Sequence, residues 1–160
     1  MIVDLPQEVA SEDMQETAWL LHAAILEGPY DEPLAVCEQV TRQAIRDNFN
    51  SQASPDNVDW PPRKNPGDGH PLLIDTGAMM QAATGGGPGG DSRQFQDTGE
   101  HVLELSIDGS TIPYAATHNY GDPRRNMPQR EFFGMHEAAI DEAEQVIADF
   151  VMTQIFGQGA

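Results

Sequence analysis

Positive charge is scarce in this 160-residue chain: 8 Lys and Arg stand against 26 Asp and Glu, a formal net charge of −18 at pH 7. Binding nucleic acid usually needs a basic stripe, and binding an anionic membrane surface needs a basic cluster, so this balance argues against both. It favours solubility and repulsion of other acidic surfaces, DNA included. There is one cysteine, Cys37. No disulfide can close within the chain, and the position of Cys37 on the apolar side of an expected helix marks a buried thiol rather than a nucleophile. No apolar run approaches the length of a membrane span, so no membrane partner is expected. The first residues, MIVDLPQEVASED, are acidic where a secretory signal is basic, which makes a cytoplasm the expected place of synthesis and assembly.

Metal and cofactor signatures are lacking too. His22, His70, His101, His118 and His136 show none of the paired spacings of metal sites. The run GGGPGG at 85–90 has no Lys-Ser/Thr after it, as a phosphate-cradling loop would. No nucleophile-elbow pattern is present. No cofactor and no metal are therefore expected.

What is present suits one main domain, since a chain of this length buries roughly two thirds of its unfolded surface. Residues 1–10 read as an extended arm. Ser11 caps an expected helix to about Leu26, with Met14, Ala18, Leu21 and Ile25 at helical spacing. A second helix is expected from Pro33 to Asn50, with Leu34, Cys37, Val40, Ala44, Ile45 and Phe49 as its apolar stripe. Five prolines between 51 and 71 predict an extended loop, and Trp60 within it should plug that loop onto the core or onto a partner. Residues 72–84 read as a short helix after an apolar entry, with Asp75 or Thr76 able to cap it, and 85–90 as a flexible tip. His101–Ile107 reads as a strand, Asp108-Gly109 as a hairpin turn, and Thr111–Thr117 as its partner strand. In that reading Tyr114 begins the strand and His118 ends it as a satisfied hydrogen-bonder. Met127–Phe133 reads as a short extended piece, with Pro128 placed as on an edge strand. The final helix, 135–156, carries Ala139, Ile140, Ala143, Val146, Ile147, Phe150 and Val151 on one face and Glu137, Asp141, Glu142, Glu144 and Asp149 on the other. The class is α+β: a small antiparallel sheet packed with a long C-terminal helix and an N-terminal helix, with an extended N-terminal arm and long loops. Residues 1–33 form an arm and helix, and residues 34–160 the main domain.

Two constellations could carry function. Asp75-Thr76-Gly77 follows Leu72-Leu73-Ile74, and a second apolar-apolar-Gly signal, Phe132-Phe133-Gly134, precedes a helix. Both resemble retroviral-type aspartic proteases, in which paired carboxylates of a homodimer activate water. Asp75 would be the catalytic residue in that alternative. Such proteases are nearly all β, whereas this chain has strong helical periodicity on both sides of the motif, so helix capping is the better reading. The second constellation is basic: Arg124, Arg125 and Arg130 place three of the eight positive charges within seven residues. Arginine suits bidentate contact with carboxylates on a neighbouring subunit. With Tyr120 and Trp60 these arginines make up the expected subunit interface; local charge balance is the competing reading.

Four motifs then stand in order: Trp60-Pro61, Leu72-Leu73-Ile74-Asp75-Thr76-Gly77-Ala78-Met79, Tyr114-Ala115-Ala116-Thr117-His118-Asn119-Tyr120-Gly121, and Met127-Pro128-Gln129-Arg130-Glu131-Phe132-Phe133-Gly134. A long amphipathic helix closes the series. Together they resemble the phage virion morphogenesis, or tail-completion, family of Mu-like and related tailed phages, over about residues 34–156. The resemblance implies a structural virion protein at the neck or tail end and no catalysis. It implies a ring, expected as a hexamer, that joins head to tail. The implied neighbours are other neck and tail proteins (tail terminator, tail tube, head-completion or connector proteins), with DNA only passing through the channel. The first 33 residues, GGGPGG and the lack of bases after residue 130 depart from the pattern.

Overall fold

The computed structural model describes residues 28–64, 69–97 and 100–157. The expected arm at 1–10 and helix at 11–26 lie outside the described residues. The order of elements is α1 (Asp31–Ser51), α2 (Ala78–Ala83), β1 (Gly90–Asp97), β2 (Glu100–Ile107), α3 (Ala115–Tyr120), a 3-10 turn (Pro123–Arg125) and α4 (Glu137–Phe156). This is the α+β class read from the sequence. Among the described residues, no helix is long and apolar enough to cross a membrane.

Helix α1 is the spine. Asp31 and Glu32 occupy its first turn, where carboxylates meet the positive end of the helix dipole. It runs through the expected division at 33/34. Its stripe serves two cores. Ile45 and Phe49 enter the main one with Trp60, Met79, Ala82, Ala83, Ile112, Ala115 and Phe132. Val40 and Ala44 meet Ala139 of α4 in a smaller one. Cys37 is buried beside them, its thiol donating to the Ala143 carbonyl at 3.7 Å; burial pushes its pKa up, as for an inert thiol.

Helix α4 keeps its expected span but not its whole expected face. Ala139 is buried and Ala143, Val146, Ile147, Phe150 and Val151 are half-buried, whereas Ile140 is 43% exposed. Only part of the helix lies against α1. Farther along, Phe150 packs edge-on to Tyr30, whose ring also meets His101 of β2.

The strand His101–Ile107 is present, but its partner lies before it rather than after. β1 and β2 pair antiparallel from Gly90↔Ile107 to Asp97↔Glu100. Asp108-Gly109 turns no hairpin, because Asp108 is engaged locally. Its carboxylate accepts from the Ser110 N–H, Ser110 Oγ and Thr111 Oγ1 at 2.6–2.9 Å, which holds its pKa down at about 2. Its carbonyl accepts from the Thr111 and Ile112 N–H groups. This side-chain turn winds the chain toward α3, so Tyr114 precedes a helix and His118 lies inside one.

The short helix follows its apolar entry as expected: α2 begins at Ala78, entered through Gly77 at φ +79°, with no capping bond from Asp75. Thr76 Oγ1 accepts instead from the Ala78 N–H at 3.3 Å. The glycine run is a close-packed crossing rather than a loose tip. A Cβ on Gly90 would stand 1.9 Å from the Ala82 carbonyl oxygen, so β1 can start against the end of α2 only at a glycine.

Candidate subunit-interaction site

Among the described residues, the segment from Arg130 to Gly134 pairs with no strand, yet Arg130 and Phe132 are buried. A buried backbone needs its polar groups satisfied, and here side chains do it. Asn119 Oδ1 accepts from the Phe132 and Phe133 N–H groups, each at 3.0 Å. Asn48 Nδ2 donates to the Phe132 and Gly134 carbonyls at 3.0 and 2.9 Å. Trp60 Nε1 donates to the Glu131 carbonyl at 2.9 Å. Both asparagines are buried. Sequence reading passed over Asn48, although it follows Ala44 and Ile45 on the buried side of α1. A polar residue continuing an apolar stripe was the available signal.

Two of the five expected interface residues, Trp60 and Arg130, make their contacts within the chain. Trp60 is 5% exposed and packs edge-on to Phe49, ring centroids 5.8 Å apart. Arg130 is buried and donates from Nε to the Pro61 carbonyl at 2.9 Å and from its terminal nitrogen to the Pro62 carbonyl at 3.1 Å. Within one chain, both tie the proline loop to the Arg130–Gly134 segment. The other three, Tyr120, Arg124 and Arg125, are exposed. Arg125 lies 3.4 Å from Asp122.

Beside Arg125 opens a cleft of about 540 Å³, with Pro62–Lys64, His70 and Leu72–Met79 on one side and residues from Tyr114 to Arg130 on the other. Its charge is unusual for this chain. Arg63, Lys64, Arg125 and Arg130, half of all the Lys and Arg, line it, and among the described residues one carboxylate, Asp75, does so too. Its apolar lining includes Leu72, Leu73, Ile74, Met79 and Met127. Leu73 is held at φ +61°, a conformation bulky side chains resist. Gly121, at φ +74°, lets the backbone turn beside Gln129, whose N would lie 2.9 Å from any Cβ.

His118 also lines the cleft, and it is not the satisfied hydrogen-bonder expected. Its Nδ1 is buried and has no hydrogen-bond partner among the described residues. Burial first, and the Arg130 charge second, push its pKa below the ordinary histidine value. The unfolded chain therefore takes up this proton more readily than the folded one. This contribution to stability is present above about pH 6.5 and is lost as the pH falls below it. The fall in melting temperature between pH 7.5 and 5.5 should be larger in the wild type than in His118→Gln. Parallel pH profiles of the two proteins would exclude a buried, proton-averse ring.

Asp75 stands at the mouth of the same cleft with its side chain 87% exposed, 3.9 Å from His70 Nε2. The Asp75-Thr76-Gly77 tripeptide thus forms a turn leading into α2. The described residues hold one two-stranded sheet, which is not the β scaffold of an aspartic protease. Among the described residues, no group of three His, Cys, Asp or Glu side chains is placed to hold a metal.

The four ordered motifs therefore meet physically. Trp60-Pro61 grips residues 130–131, Asn119 grips 132–133, and the Leu72–Met79 segment borders the cleft they leave. No curated protein and no solved structure matches the chain significantly. The profile of the phage virion morphogenesis family does match, over residues 15–155, so the match starts well before residue 34, where the resemblance was expected to begin. The chain belongs to the phage virion morphogenesis family.

Proposed function

We propose that the chain is a tail-completion subunit, forming a ring at the head–tail junction or tail end that helps join tail to head. Family membership supports a part in building the virion. The observation that carries the ring is the segregation of charge. Bases gather around the cleft and at Arg124 and Arg125, while Glu137, Asp141, Glu142, Glu144 and Asp149 are exposed on α4. Opposite charges on different faces of one subunit suit a head-to-tail contact, and a head-to-tail contact closes into a ring when its rotation allows. A hexamer is the stoichiometry proposed. Its neighbours would be other neck and tail proteins, such as the tail terminator, the tail tube and the connector. The surplus acid would keep transiting DNA from adhering to the ring.

Cryo-electron microscopy of intact particles tests this reading: a ring of this chain at the neck or tail end is expected, and particles without it refute the proposal. A cheaper test reverses two exposed charges. Arg124→Glu with Arg125→Glu should cut assembly at least tenfold while the monomer keeps its melting temperature within a few degrees, since exposed substitutions change stability by about 0.5 kcal/mol or less. Undiminished assembly would remove these arginines from the contact.

A further inference from the structure

The cleft gathers more positive than negative charge among the described residues: Arg63, Lys64, Arg125 and Arg130 against Asp75. Among the described residues, no carboxylate lies within ion-pair distance of Arg63, Lys64 or Arg130. Arg63 spends its donors on His70 Nδ1 and the Pro71 carbonyl, at 2.8 and 2.6 Å. Arg130 spends its donors on two carbonyls, and the Arg63 charge adds to burial in lowering its pKa. Cations that outnumber the carboxylates around one cleft repel one another, and an incoming anion relieves that cost. Among the described residues Arg125 has Asp122 at 3.4 Å, which leaves Arg63, Lys64 and Arg130 with the most to gain. Leu73, strained at φ +61°, lies on the same wall, and strain of this kind collects at sites shaped for contact.

The matching surface is on α4. Glu137, Ile140, Asp141 and Glu144 are all exposed and stand three and four residues apart, so they share one face. An apolar knob, Ile140 at 43% exposure, is thereby ringed by three carboxylates. No residue of α4 lines the cleft, so a subunit cannot bring this face to its own cleft without rearranging.

We propose that the cleft receives the Glu137–Glu144 face of α4 from a second copy of the chain. Ile140 enters among Leu73, Ile74 and Met127, and the three carboxylates meet Arg63, Lys64 and Arg125. Knob and cleft lie on different faces, so the contact is heterologous and passes from copy to copy. Desolvating the Arg–carboxylate pairs around an apolar centre sets the register of the contact. The inference rests on the ring reading and adds to it the two surfaces that meet.

Cysteine cross-linking in assembled particles tests it. The full chain carries Cys37→Ala, with Thr76→Cys at the rim of the cleft and Ala148→Cys one turn beyond Glu144 on α4, which leaves every charge of the contact in place, and is treated with a short bis-maleimide. A ladder of dimers and higher species is expected when both cysteines are present, and none with either alone. Copies present in particles without a ladder would overturn the cleft–α4 contact and leave the ring reading standing. A single-cysteine variant that cross-links to itself would also overturn it, because that requires a face-to-face pair. Absence of the chain from particles would remove both readings. As an independent check, Arg63→Glu with Arg125→Glu, and separately Glu137→Lys with Asp141→Lys and Glu144→Lys, should each lower incorporation at least tenfold. Co-expression of the two reversed chains should restore it, and failure to restore it would refute the charge match.

Discussion

Asn119→Ala is expected to destabilise the fold by about 3 kcal/mol, because it leaves two inward-facing N–H groups without an acceptor. Asn119 is 6% exposed, and its Oδ1 alone receives both the Phe132 and Phe133 N–H groups. Among the described residues, no strand pairs with this segment to replace it. The loss should appear in urea as a lower midpoint with an unchanged slope, the mark of altered stability rather than altered compactness. Asn119→Asp keeps an acceptor oxygen at the same place and should recover part of the loss. An alanine variant within about 0.5 kcal/mol of the wild type would mean that the segment satisfies its backbone some other way. Domains of this size are stable by only about 5–15 kcal/mol, so the expected loss is a large share of the total.

Trp60→Ala should cost about 4 kcal/mol, in the range for truncating a large buried aromatic. The indole fills the space against Phe49, and its N–H holds the Glu131 carbonyl. Trp60→Phe keeps most of the apolar burial and gives up the hydrogen bond, so about 1 kcal/mol is expected. The measurement belongs at dilutions where the chain is monomeric. A Trp60 whose work was at a subunit contact would leave monomer unfolding unchanged and weaken only assembly. The intramolecular placement requires the opposite, and an alanine variant as stable as the wild type would contradict it.

The proline loop shows how one residue type carries different weight in sequence and in structure. Proline spacing announces that residues 51–71 will be irregular, because each proline removes a backbone donor and fixes φ. It says nothing about which carbonyls remain free or where they point. Those of Pro61 and Pro62 turn out to be the acceptors of Arg130. An arginine close to two others in sequence read as part of one surface cluster. Three-dimensional placement separates it from them, burying Arg130 while Arg124 and Arg125 stay in solvent.

The sequence alone determined what depends on local spacing and on order along the chain. The 3.6-residue period of apolar side chains set α1 and the span of α4, alternation set the strand at 101–107, and composition set the acidity and the reduced thiol. The order of four short motifs identified the family. Tertiary structure alone decided the partner of that strand, the burial of Asn48 and Asn119, and the gathering of Arg63, Lys64, Arg125 and Arg130 around one cleft. Local turn and helix signals arise from neighbours a few residues apart, whereas pairing, satisfaction of buried polar groups and convergence of charge depend on contacts made across 13 to 86 residues, which periodicity does not encode.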